Sequence, residues 1–349
     1  MAEKKQRDSN IELLRIVLMI AIILHHYIVN SGITELINDS VVESWRWNSC
    51  VALILGWGGK TAINCFVLIT GYFMCKQEYK WQKILHLYLE VKFYSIVIYL
   101  IFLISGYETF TLKGFYKTMF GVVLSFDKGF IGSFIAFYAL IPFINKLISV
   151  LDKKSHGILA ILLCIIFSIV PTLFLNTVFE YISWYTTLYI IASYIRLYPN
   201  KIFDNKRLTG LFLLGSLIVS WLTIILIYYC ETKIGRVLPH YWFVADSNKI
   251  LAFVTSLFAF SFFIKISLGQ NKFVNTISSA TFGVLLIHDS GDSMRKWLWQ
   301  DVCNNVWHFK NDSLLRFIAH AFLCTLCIYS ICVVINLVLK FLQKIIKNN

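Results

Sequence analysis

Glu12, Arg15, His25 and His26 all lie within one apolar stretch, IELLRIVLMIAIILHHYIVN, at residues 11–30. A neutral histidine can accept a proton, an arginine can hold an anion, and a carboxylate can orient either of them. Each of these groups is costly in lipid, so a span that keeps them turns them toward a protein interior. At 3.6 residues per turn, the eleven steps from Arg15 to His26 return to within about 20° of one face. Glu12 lies about 40° from His26 around the helix, and His25 is rotated about 80° the other way. Glu12, Arg15 and His26 therefore make one polar stripe, with His25 beside it. His26 stands about 16 Å further along the axis than Arg15. A histidine shielded from water favours its neutral form, the form a general base needs. His26 is the candidate base on this stripe. A hydrogen-bonded packing histidine, and an Arg15 that snorkels to the headgroups, are the plainer readings of the same residues.

The rest of the chain shows what must hold such a stripe. It has 349 residues, 58% of them hydrophobic and only 15% charged, against about a quarter charged in a soluble protein. Runs of about 20 apolar residues recur along its whole length, as in a polytopic helical membrane protein. The alternating ten-residue strands of a membrane β-barrel do not occur. The expected fold is all-α: a polytopic transmembrane bundle of about ten spans, at 11–30, 50–74, 87–105, 130–148, 156–175, 183–198, 208–229, 249–265, 274–289 and 314–340. One integral membrane domain is expected over 1–349, with 1–10 as a short N-terminal tail.

Charge alternates between the connections. Segments 1–10, 75–86, 145–155, 196–207, 265–273 and 340–349 hold 18 Lys or Arg and five acids, whereas 31–49, 106–129, 176–182, 230–249 and 289–316 hold 11 and 12. Basic loops stay in the cytoplasm, so both termini are expected there. The formal charge of +13 then lies almost wholly on the cytoplasmic face, attractive to anionic lipid headgroups or to an anionic soluble substrate. Bases scattered over six short loops argue against a nucleic-acid partner. Lys4, Lys5 and Arg7 precede the first span as in a secretory signal, but no small-residue cleavage site follows. Of the nine cysteines, Cys324 and Cys327 have C-x-x-C spacing inside an apolar span and read as core packing rather than a metal site. Cys230 and Cys303 fall in expected outer loops, and a bridge between them is left open.

Arginine, ten residues, then histidine in "RIVLMIAIILHH" resembles the first-span signature of the acyltransferase-3 family of integral membrane O-acyltransferases. "NCFVLITGYF" at 64–73 is similar to that family's Phe-rich segment, and "YKWQKIL" at 79–85 to its basic R-x-x-R stretch. "FYALIPFINKL" at 137–147 and "SSATFGVLLIHD" at 278–289 resemble its middle and late signatures. Five motifs in family order, over about 280 residues, carry more than any one of them. Thr70 stands where the family usually has Ser and keeps the hydroxyl. Lys80 and Lys83 stand for paired arginines, which keeps the charge but loses the bidentate fork. No fused esterase-like domain is expected.

The resemblance implies transfer of an acyl group, commonly acetyl, from cytoplasmic acyl-CoA to a hydroxyl of an extracytoplasmic or lipid-linked glycan. No permanently bound cofactor or metal is implied. In that reading Lys76, Lys80, Lys83 and Arg15 hold the CoA phosphates, and the pantetheine arm covers the distance from Arg15 to His26. His26 takes the acceptor proton, while Asn64, Thr70 or Tyr72 stabilises the oxyanion. Close helix packing at Gly71 is the competing account of that last group. His288 and Asp289 either orient the acceptor and polarise His26 or bring a helix end to water. Tyr138, Asn145 and Trp184 are family-like or simply pack spans, and Glu90 and Lys92 pair or snorkel. The expected setting is a multi-pass protein of a bacterial cell membrane. The alternative is a transporter or flippase for a lipid-linked glycan, but no paired, Gly/Pro-broken spans mark inverted repeats. A glycan polymerase would more often carry a larger outer loop than the roughly 24-residue connections here.

Overall fold

The computed structural model describes residues 8–40, 45–126, 129–174 and 180–348, so most of the expected tail lies outside the described residues. The helices are α1 (Ser9–Val29), α2 (Ile33–Ser40), α3 (Trp47–Gly56), α4 (Gly59–Met74), α5 (Trp81–Ile104), α6 (Leu112–Leu124), α7 (Phe130–Val150) and α8 (Lys153–Cys164). A π-helical turn, Ile165–Ile169, leads into α9 (Val170–Leu173), followed by α10 (Tyr181–Leu197), α11 (Lys206–Ile234), α12 (Ile250–Ile264), α13 (Lys272–Ser278) and α14 (Thr281–His288). Then come α15 (Asp292–Lys296), a second π-helical turn, Trp297–Val302, α16 (Asn305–Asn311) and α17 (Leu314–Asn348). No strand occurs among the described residues.

Seven helices among the described residues are long and apolar enough to cross a membrane. They are Ser9–Val29, Trp47–Met74, Trp81–Ile104, Phe130–Val150, Lys153–Leu173, Lys206–Ile234 and Leu314–Ile346. Lipid suits their outward faces: Leu89, Leu100 and Ile101 of α5 and Leu211, Leu222 and Leu226 of α11 are exposed. This is an all-α membrane protein. The spans expected at 183–198 and 249–265 are helical but shorter than these seven. The span expected at 274–289 is broken: α13 stops at Ser278 and α14 starts at Thr281. At the break the Ser278 hydroxyl donates to the buried Glu12 carboxylate and Ser279 Oγ to Thr276 O at 2.7 Å, while the backbone tightens, with Ala280 N donating to Ile277 O at 3.0 Å. The connections expected on the outer side also fold locally, into α2, α6, α15 and α16. Cys230 lies in the last turns of α11 rather than in a loop, because that helix continues to Ile234. Both Cys230 and Cys303 are free thiols, the second buried.

Contacts gather the described elements into two compact units. Residues 1–62, 221–240 and 263–349 make the first. Its axis is α1, which packs on α3, α13, α14 and α17 and buries Ile11, Leu14, Leu18 and Ile22 at three- and four-residue spacing. Gly283 permits a close approach of α14 to α17, since a Cβ there would sit 1.8 Å from Asn336 Nδ2.

Residues 63–220 and 241–262 make the second unit. There α10 packs on α7 and α8, and Gly71 of α4 meets Tyr189 Cα and Ala192 Cβ with no room for a side chain, each 2.9 Å from where its Cβ would stand. Pro171 has no N–H for the carbonyl one turn earlier, and Asn248 Nδ2 donates to that carbonyl, Phe167 O, at 2.9 Å. Lys249 Nζ donates to Pro171 O at 2.6 Å and Trp242 Nε1 to Thr172 O at 3.0 Å, so the irregular span is satisfied from the segment before α12. Among the described residues Lys92 forms no ion pair, and it does not snorkel. It is buried, and its ammonium donates to Thr118 O and Met119 O of α6.

Candidate active site

The polar stripe on α1 resolves into two stations. Near the start of the helix, Glu12 is buried and accepts from Ser278 Oγ of α13. Arg15 Nη1 lies 3.4 Å from Glu12 Oε1, so the guanidinium turns one helical turn backwards rather than along the stripe toward His26. Arg15 is 35% exposed and Glu12 only 7% at the side chain. The carboxylate is therefore the anchored member of this pair.

The second station is at the far end of α1, where α14 supplies the partners. His288 is buried, and its Nδ1 lies 2.7 Å from Val284 O, a group that only accepts. Nδ1 of His288 therefore carries a proton and donates it to that carbonyl. In a neutral His288 the other nitrogen, Nε2, must be an acceptor, and it lies 3.1 Å from His26 Nδ1. His26 then donates through Nδ1 and is left with a bare lone pair on Nε2. One backbone carbonyl on α14 thus sets, through two rings, the tautomer of a histidine on α1.

The nearest anion to that lone pair is Asp289, whose Oδ2 is 3.9 Å from His26 Nε2. This is beyond hydrogen-bond range, yet close enough to stabilise an imidazolium once Nε2 has taken a proton. Asp289 is itself held. Arg295 donates from Nε to Oδ1 at 2.5 Å and from Nη2 to Oδ2 at 3.1 Å, and Asn30 Nδ2 donates to Oδ1 at 3.4 Å. The carboxylate raises the affinity of the Arg295 guanidinium for its proton still further.

His25 faces elsewhere. Its Nδ1 meets Gly56 O at the end of α3, and its ring lies so close to Gly59 that a Cβ there would be 2.5 Å from it. Its Nε2 is also bare by the same logic, but among the described residues no carboxylate forms an ion pair with His25. Helical phase sets these two neighbours at different angles on α1, and their polar partners differ.

The remaining sequence candidates belong to the second unit. Asn64 is fully buried, donates to Ser247 O at 2.6 Å and accepts from Trp184 Nε1 at 2.9 Å. Thr70 Oγ1 donates to Phe66 O of its own helix at 2.9 Å. Tyr72 Oη accepts from Arg196 Nη1 at 2.8 Å, with the guanidinium 4.5 Å over its ring. Asn145 joins Met74 O at 3.1 Å to Tyr189 Oη at 2.6 Å, tying α7 to α4 and α10. Lys76 follows α4, Lys80 is the N-cap of α5, and Lys83 lies in the first turn of α5, which begins at Trp81 rather than at 87. Five side chains that touch these groups were not foreseen: Asn30, Arg295, Arg196, Ser278 and Tyr189. Only Asn30 carried a usable signal, being four residues beyond His26 and so on its face.

The family profile for an acyltransferase domain, acyltransferase-3, matches residues 8–337. The chain belongs to the acyltransferase-3 family. It is a membrane acyltransferase, and both α1 stations and α14 lie inside the matched region. No match was found among curated proteins or among solved structures. Among the described residues no group of three or more His, Cys, Asp or Glu is placed to hold a metal ion.

Proposed function

We propose that this acyltransferase moves an acyl group, acetyl in the favoured case, from cytoplasmic acyl-CoA to a hydroxyl of an extracytoplasmic or lipid-linked glycan. We place it in a bacterial cell membrane, with both termini in the cytoplasm. The observation that carries the reading is the bare Nε2 of His26, oriented by His288 and faced by Asp289. The acceptor hydroxyl gives its proton to that nitrogen while its oxygen attacks the thioester carbonyl carbon. The tetrahedral adduct collapses with cleavage of the C–S bond. The departing CoA thiolate takes the proton back from the His26 imidazolium, so CoA leaves as the thiol and the base is restored. Asp289 offsets the transient positive charge on His26, as an oriented carboxylate does beside other catalytic imidazoles. Acyl-CoA is consumed as a substrate, and no resident cofactor enters the cycle.

Lys76, Lys80 and Lys83 are the proposed phosphate contacts for the donor. Their position around the start of α5 adds the positive end of a helix dipole to three cations. Arg15 assists at the cytoplasmic end of α1. The test is label transfer. Membranes containing the chain are given acetyl-CoA radiolabelled in the acetyl group, and counts are followed into the glycan fraction. Transfer with wild type and none with His26→Ala, at matched expression, is the expected result. Lys80→Gln with Lys83→Gln should lower kcat/KM for acetyl-CoA by about 1–3 kcal/mol, chiefly through KM. If wild-type membranes transfer no label to any glycan or lipid-linked fraction, this reading of donor and acceptor fails.

A further inference from the structure

Asp289 poses a problem that the proposed reaction does not solve. A carboxylate 3.9 Å from the nitrogen of a base is useful after proton uptake and harmful before it. Left to itself, it would favour a closed imidazolium–carboxylate pair and hold the base in its spent form. Something must restrain both its charge and its position.

We propose that Arg295 is the positioning residue that keeps His26 available as a base, acting through Asp289; this rests on the reading of His26 as the base. The fork is side-on, with Nε on one carboxylate oxygen and Nη2 on the other. Such a pair fixes the carboxylate plane and shares its charge, which a single-point contact cannot do. Oδ2 is thereby held back from His26 Nε2, yet remains near enough to offset an imidazolium.

The local backbone is shaped for this contact. Gly291 has φ 151° and ψ −176°, a conformation nearly confined to glycine, and it folds α15 back so that Arg295 reaches a residue six positions earlier. Arg295 also lies 3.8 Å from Asp292 on its own helix, an exposed carboxylate that leaves the fork intact.

The charged and titratable groups facing His26 are few. His25 adjoins it on α1, His288 and Asp289 come from α14, and Arg295 comes from α15 behind Asp289. The Glu12–Arg15 pair of α1, with Ser278 of α13, lies one station away, and His320 of α17 faces Tyr27 instead. Removing Arg295 thus removes the cation that balances Asp289. His26 should then hold its proton to higher pH, and the acidic limb of the rate profile should move to higher pH.

The test uses full-length protein in membranes, with pH equalised across the bilayer by an ionophore and labelled acetyl-CoA as donor. Arg295→Gln should lower kcat at neutral pH by roughly tenfold, recover much of it near pH 9, and leave the acetyl-CoA KM within about twofold. Arg295→Lys keeps the charge without the fork, so its pH limb should stay near wild type with a smaller loss in kcat. In an Asp289→Asn background, Arg295→Gln should have little further effect, since the two act as one unit. An unchanged kcat and pH limb in Arg295→Gln overturns the inference, and so does a loss confined to acceptor KM, which would make Arg295 a binding residue. His26→Ala is assayed beside them. If it remains active, the base assignment itself has failed; if it is dead while Arg295→Gln is normal, only this inference has.

Discussion

Two histidine clusters flank the far end of α1, one reached from His26 and the other from its neighbour Tyr27. They use the same chemical groups and arrive at opposite states. In the second cluster Tyr27, fully buried, meets His320 Nδ1 of α17 through its hydroxyl at 2.7 Å. His320 Nε2 lies 3.3 Å from Cys324 Sγ, one turn on, and its ring stacks on His308 at 3.6 Å between centroids. His308 Nδ1 is closed by Asp312 Oδ2 at 2.7 Å, and Asn305 Nδ2 donates to Tyr27 O at 3.0 Å. Both nitrogens of His320 are engaged. In the His26 cluster the network ends one bond short, and the lone pair it leaves faces a restrained carboxylate. A ring engaged at both nitrogens, as His320 is, serves as scaffold; a ring left open at one atom can take a proton.

The largest difference should appear in activity. His26→Ala should cost about 10²–10⁴ in the rate of label transfer, the usual range for a positioned base. His320→Ala should change the rate by only a few-fold, but should destabilise the protein by about 1–3 kcal/mol by leaving the buried Tyr27 hydroxyl without its partner. Rates normalised to folded protein in detergent would separate the two, and a dead His320→Ala with normal stability would erase the contrast. His288→Phe comes next. It deletes the acceptor that sets the His26 tautomer and should lower kcat roughly tenfold, the worth of about one hydrogen bond. His288→Gln, which can still accept from His26 Nδ1, should lose less; equal losses would mean that His288 acts by bulk alone.

Smaller effects probe how α14 and α17 carry the two clusters. Gly283→Ala forces a methyl into Asn336 and should cost about 1–3 kcal/mol of stability, read as a lower Tm in detergent. Shortening Asn336 to Ala in the same protein should restore part of it. Least of all, Tyr27→Phe should lower stability by about 1 kcal/mol and leave label transfer nearly intact, because it removes one bond from the closed cluster. A large activity loss in Tyr27→Phe would show that the two clusters work as one.

Much of this was legible in the residues themselves. Apolar runs of the right length announced a helical membrane protein, since lipid leaves the backbone no other way to satisfy its polar groups than helices or closed barrels. Helical phase placed Glu12, Arg15 and His26 on one face and turned His25 aside, because the angle per residue is a constant of the helix. Motif order identified the acyltransferase family. What phase could not supply was contact. It aligned Arg15 with His26, but the guanidinium folds back on Glu12, a choice made by Ser278 from a helix more than 260 residues away in the chain. Nor could it foresee the break between α13 and α14, where the backbone tightens to a three-residue turn inside an apolar run. The tautomer of His26 depends on Val284 and His288, and the restraint on Asp289 depends on Arg295 and the turn at Gly291. Composition and periodicity are properties of a segment and survive in any fold that buries it. Which nitrogen keeps its lone pair is a property of neighbours brought together from distant segments, and only tertiary packing decides it.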